Sequence, residues 1–139
     1  MNAKELLDKK NIKITANRLL ILEVFLHNNY ALSLTDILEQ LPWADKATVF
    51  RTLKTFEKNA LIHLIDDGGK AGKFALCSDS CEVTHHHIHP HFHCEKCGKT
   101  ICLTAQDISI PKLPDSYETH SYSLVISGVC GDCNRTGIS

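Results

Sequence analysis

Apolar residues recur at helical spacing through the first sixty positions, after which the period shortens to that of strands. Ala3, Leu6 and Leu7 fall on one side of a short helix over Ala3 to Lys9, interrupted by Asn11 to Ile14. Thr15 is a good N-cap for a second helix running to about His27, with Leu19, Leu22, Phe25 and Leu26 as its apolar positions. Ser33 and Asp36 form a capping pair ahead of Ile37, Leu38 and Leu41, and Pro42 ends that helix. Asp45 caps a fourth helix whose apolar side is Val49, Leu53, Phe56 and Ala60. Leu61 to Ile65 is then β-prone, Asp66-Asp67-Gly68-Gly69 is a turn signal, and Lys73 to Leu76 reads as the returning strand. Short helices followed by such a hairpin are the pattern of a winged helix-turn-helix.

Cys77 to Pro90 is polar and without period, a hinge. His91 to Cys94, Thr100 to Leu103 and Glu118 to Ser127 read as strands, with Pro111 and Pro114 breaking the segment between the last two. The expected organisation is therefore α+β: a winged-helix domain over 1–76, a hinge over 77–90 and a small second domain over 91–139.

Composition narrows the class. Apolar residues make up 43% of the 139, enough for a core, and no apolar run approaches the ~20 residues of a membrane span. Met1 to Lys10 is polar and lacks a secretory apolar region, so a soluble cytoplasmic protein without a membrane partner is expected. The net charge of −1 does not point to nucleic acid. Any such claim has to rest on a motif. Cysteine and histidine are far more unevenly placed. All seven cysteines lie at or after position 77, and seven of nine histidines at or after position 85. In a reducing compartment that clustering reads as metal binding.

Cys94-Glu95-Lys96-Cys97 and Cys130-Gly131-Asp132-Cys133 are two Cys-x-x-Cys turns separated by 32 residues. Two such turns converging on one ion give a closed tetrahedral four-cysteine site, typical of structural zinc, one ion per chain. The competing readings are buried free thiols and a redox dithiol, which needs one pair alone. The run from His85 to His93 holds six histidines. On an extended strand His89, His91 and His93 project to one side. Imidazole suits zinc, nickel, copper and ferrous iron, so this run is a candidate regulatory metal site, against the alternative of a solvated hinge. Cys77, Cys81, His89 and His91 are its first candidate ligands, with His87, His93, Cys102 and His120 next; Cys102 also reads as a small buried hydrophobe between Ile101 and Leu103. The fourth helix leaves Lys46, Thr48, Phe50, Arg51 and Lys54 outside its apolar stripe. Thr48 and Phe50 suit thymine methyls, and Lys46, Arg51 and Lys54 suit phosphates or guanine, with Lys13 and Arg18 bracing a neighbouring phosphate. Taken alone, the same pattern describes an ordinary surface helix.

Three motifs together resemble the ferric uptake regulator family of metal-dependent repressors, over nearly the whole chain. Ile14 to Leu22 looks like its Thr-x-x-Arg-x-x-Ile-Leu entry helix, and Ala47-Thr48-Val49-Phe50-Arg51-Thr52-Leu53 is similar to its Ala-Thr-Val-Tyr-Arg-x-Leu recognition helix. His89 to Lys99 looks like its His-x-His-x-x-Cys-x-x-Cys-Gly-Lys block. The resemblance implies a winged helix, a C-terminal α/β dimerisation domain and a homodimer on palindromic double-stranded operator DNA. It departs from the family pattern at several places. Phe50 stands for Tyr, and Ile88 and Pro90 stand where the pattern has His and Asp, so His89 and His91 alone match its sensory ligands. Ala75 and Cys102 replace Glu, and Tyr30 or Ala31 replaces His. Oxygen and nitrogen ligands are lost where Cys77, Cys81 and Cys102 lie close by. The expected site is one rebuilt with thiolates, which favours zinc sensing over an iron, nickel or peroxide sensor.

The expected mechanism is that the second metal bridges Cys77 and Cys81 to His89 and His91 and fixes the two winged helices at the spacing of successive major grooves. Neither enzymatic activity nor a small-molecule substrate is expected. A zinc hydrolase would need a His-Glu-x-x-His or a neighbouring general base, and neither is present. A zinc-knuckle RNA binder would leave the fourth helix without a purpose.

Overall fold

The computed structural model describes residues 2–65, 72–77, 90–103, 111–120 and 124–136. Two compact units divide the chain, Met1–Val83 and Thr84–Ser139.

In the first unit the caps set the helix boundaries. Asn2 caps α1 (Ala3–Lys9) in a box with Glu5. The Thr15 side chain accepts from Arg18 N at the start of α2 (Ala16–His27). Ser33 and Asp36 exchange bonds of 2.9 and 3.1 Å at the start of α3 (Leu34–Gln40). Each satisfies amide donors that a helix start leaves unpaired. Asp45 does the same for α4 (Lys46–Lys58), accepting from Thr48 N at 3.2 Å. This helix stops earlier than its apolar period suggests. Ala60 lies outside it at φ 58, a left-handed conformation that lets the chain turn into β2 (Ile62–Ile65).

The two-residue β1 (Leu32–Ser33) and β3 (Lys73–Leu76) complete an antiparallel sheet of order β1-β3-β2. Leu64 pairs with Phe74 and Ile62 with Leu76 in one apolar row, of which Ile62, Leu76 and Phe74 pack against the helical core and Leu64 stays exposed. The core joins Leu7, Leu22, Phe25, Leu32, Ile37, Val49, Leu53, Phe56 and Ile62. On α2 the burial differs from the expected set: Ile21 and Val24 are buried, while Leu26 remains 37% exposed. The turn at Asp66 to Gly69 lies outside the described residues.

The second unit is a sheet of order β5-β4-β6, made of β4 (Pro90–Cys94), β5 (Thr100–Cys102) and β6 (Leu124–Gly128). β4 runs antiparallel to β5 and parallel to β6. A parallel pair demands a crossover, so the long stretch between β5 and β6 is a topological necessity. The last strand begins later than its sequence pattern suggests. Glu118 to His120 are irregular and exposed, and among the described residues the pairing runs from Leu124 opposite Pro90 to Gly128 opposite Cys94. A short helix, α5 (Gly131–Thr136), follows; its lack of an apolar period hid it from the sequence pattern.

Candidate metal centres and nucleic-acid face

The knuckle Cys94–Cys97 closes the end of β4. Gly98 N donates to Cys94 O at 2.9 Å, and Gly98 takes φ 78, which a side chain would strain. Cys130 and Cys133 come from the start of α5. The four sulfurs all lie within 4.8 Å of one another, with Cys94–Cys133 at 3.9 Å and Cys97–Cys130 at 3.8 Å. A tetrahedron with metal–sulfur bonds of ~2.3 Å has edges of about 3.8 Å, so the donor set fits zinc. The strand ladder carries Cys94 opposite Gly128, two residues before Cys130, which is why turns far apart in sequence meet.

Electrostatics distinguish the four thiols. The amides of Cys97 and Cys130 donate to Cys94 Sγ at 3.4 and 3.3 Å and lower its pKa to about 6. Cys133 is pushed up to about 12, first by its hydrogen bond to the Cys130 side chain and then by burial. Four adjacent thiols cannot all become anions without a cation among them. A Zn²⁺ held there would supply that charge and has no redox chemistry of its own.

The other expected ligands fall in two places. In the second unit, His91 pairs directly with Cys102 across the β4–β5 ladder, so both project from the same sheet face; His91 is buried and Cys102 half-buried. On that face His93 pairs with Thr100, and its Nδ1 lies 2.9 Å from the buried Thr100 hydroxyl. His120 is not part of this set: its side chain is 83% exposed and lies 3.9 Å from the Glu118 carboxylate. In the first unit, Cys77 Sγ lies 3.4 Å from His63 Nδ1. His63 went unnoticed in the sequence. Register explains the meeting, since His63 pairs with Ala75 and Cys77 lies two residues further along the same side. Cys81, His87 and His89 lie outside the described residues.

α4 buries Val49, Thr52, Leu53 and Phe56 and leaves Lys46, Phe50, Arg51 and Lys54 exposed as one stripe. Lys54 Nζ sits 5.4 Å from the Phe50 ring centroid and 3.7 Å from Glu57. The Thr48 hydroxyl is engaged with Asp45 at 3.2 Å. Arg18 donates to the carbonyl of Lys13 at 2.7 Å, tying the segment before α2 to that helix.

A winged helix whose α4 exposes a basic stripe, followed by a four-cysteine unit, fits the class of metal-dependent DNA-binding regulators. Residues 9–127 match the sequence model of the Ferric uptake regulator family, and the chain belongs to that family. It is 30% identical over 141 residues to the ferric uptake regulation protein of Escherichia coli (strain K12), covering 93% of this chain and 90% of that protein. Its fold is similar to that of the Vibrio cholerae ferric uptake regulator, at TM-score 0.59 and 21% identity over 91% of this chain and 98% of that one. It is also similar to a zinc uptake regulator complexed with zinc and DNA, at TM-score 0.67 and 19% identity over 99% and 93% of the two chains. The chain is thus a metal-responsive transcription regulator, a class of proteins that are not enzymes.

Proposed function

We propose that this regulator is a zinc-responsive repressor. One zinc at Cys94, Cys97, Cys130 and Cys133 is structural, and a second, exchangeable zinc governs operator binding. The regulatory ligands are drawn from Cys77, Cys81, His89 and His91, with His63 and Cys102 added to that set. The observation that carries this reading is the pairing of imidazole with thiol in each unit: His63 beside Cys77 at 3.4 Å, and His91 opposite Cys102. Nitrogen and sulfur donors select zinc over the harder ferrous and manganous ions.

The protein acts in the cytoplasm as a homodimer on double-stranded DNA. In support, Leu124, Ile126 and Ile101 are exposed on the sheet face that also carries Phe92, an apolar surface suited to a second copy. The exchangeable ion restricts the hinge, so the loaded dimer matches two successive major grooves while the unloaded one does so in a minor fraction of its conformations.

The test is metal analysis paired with DNA affinity. Two zinc per chain should fall to one under mild chelation, with loss of affinity for promoter DNA that zinc restores and iron or manganese does not. Cys77→Ala and His91→Ala should remain folded and lose this response. Restoration by ferrous iron at least as effectively as by zinc would identify an iron sensor instead. Variants that bind promoter DNA as tightly as the parent in the presence of chelator would refute the hinge mechanism.

A further inference from the structure

The first unit carries an apolar groove of about 390 Å³ where the recognition helix meets the wing. It is lined by Phe50 and Leu53 of α4, Leu64 of β2 and Phe74 of β3, together with Leu34, Thr35 and Gly72. Part of this lining is the edge of the core, since Leu53 is fully buried. Phe50 and Leu64 are different. They are 49% and 51% exposed, although each is a large apolar side chain on an element whose neighbouring inward positions are covered. Leu64 extends the row of Ile62, Leu76 and Phe74 beyond the part of the sheet that the helices cover. Gly72 leaves room for it there: a Cβ at position 72 would stand 2.8 Å from Leu64 Cδ1.

Charge indicates what the groove receives. Phe50 belongs to the exposed stripe of Lys46, Arg51 and Lys54, and the Lys54 ammonium lies over its ring. An apolar notch beside three cations suits a polyanion that also presents methyl groups. In the major groove of duplex DNA that methyl is the thymine 5-methyl. Building on the DNA-binding reading above, we propose that Leu64, with Phe50, forms a thymine-reading notch, so that the wing contributes base discrimination alongside the recognition helix. Leu64 is then a specificity-determining residue that no phosphate-contact pattern in the sequence reveals. The phosphate contacts set affinity and its salt dependence, whereas the notch alters discrimination with no ion release.

The experiment uses the zinc-loaded full chain and a duplex enriched by it from a random-sequence pool. Each thymine is replaced in turn by uracil, which removes the methyl alone. At one position per half-site the parent should lose about fourfold in affinity, the factor expected for withdrawing one methyl from apolar contact. Leu64→Ala should bind the thymine duplex more weakly by a similar factor, show no further loss with uracil, and keep the parent's salt slope. Gly72→Ala, which displaces Leu64 without shortening it, should show the same loss of discrimination. Parent and Leu64→Ala responding alike to every uracil would overturn the proposal. So would a Leu64→Ala effect on self-association in place of DNA affinity. Failure of the parent to enrich any duplex would refute the DNA-binding reading itself, and the notch with it.

Discussion

Cys94 and Cys97 are three residues apart in one knuckle, yet their surroundings differ. Cys94 is fully buried and receives two backbone amides, while Cys97 is exposed. The depressed pKa of Cys94 has a definite sign. Its preference for the folded anion is fully present above the ordinary thiol pKa of 9.0 and is lost as pH falls through about 6. For Cys133 the sign is opposite: a thiol pushed up to about 12 keeps its proton until a metal displaces it. The two ligands of one knuckle should therefore differ when replaced. Cys97→Ser is expected to retain a weakened zinc with solvent at the fourth position, whereas Cys94→Ser loses the ion and the fold of residues 90–136. Zinc per chain and amide hydrogen exchange in that segment measure both. Equal loss in the two variants would show that burial and amide donation do not rank the ligands.

At the level of elements, helix α4 depends on its first turn. Asp45 satisfies Thr48 N and also engages the Thr48 hydroxyl. Asp45→Ala should cost about 1 kcal/mol of stability, read as a lower urea midpoint at unchanged slope. An unchanged midpoint would mean that packing of Val49, Leu53 and Phe56 alone fixes the start of the helix. The four helices of the first unit and the wing strands were legible because caps, apolar period and turn residues all agree there. What stayed hidden depends on pairing between segments. β1 has two residues, too few for any period to show. The meeting of His63 with Cys77 exists through the β2–β3 register, which sequence spacing does not express. Glu118 to His120 alternate suitably for a strand, but they are irregular, and the described parallel partner of β4 is Leu124–Gly128. The four-cysteine set was legible for the opposite reason, since its chemistry requires the four residues to meet whatever elements carry them.

For the whole molecule, the two units are held together by different means. The hydrophobic core cluster runs from Ala3 to Ile62 and lies within the first unit. Among the described residues of the second unit, the buried side chains are Pro90, His91, Cys94, Thr100 and Cys133. Two of these five belong to the four-cysteine cluster, and the apolar side chains Ile101, Leu124 and Ile126 are exposed in the single chain. Among the described residues of this unit in a single chain so little apolar area is buried that, on the structural-zinc reading proposed above, the free energy of zinc binding becomes folding free energy. Chelation should therefore act in two stages. A mild chelator that takes the exchangeable ion alone should abolish DNA affinity while both units remain protected from hydrogen exchange. A stronger chelator under reducing conditions should then strip protection from residues 90–136, leaving residues 16–58 protected, because their core contains no ligand of the four-cysteine site. Thermal unfolding of fully zinc-free protein should accordingly show one transition, belonging to the winged helix. Persistent protection of β4 and β6 in protein shown to contain no zinc would mean that the sheet holds itself together, and the ion among the four thiolates would lose its structural role.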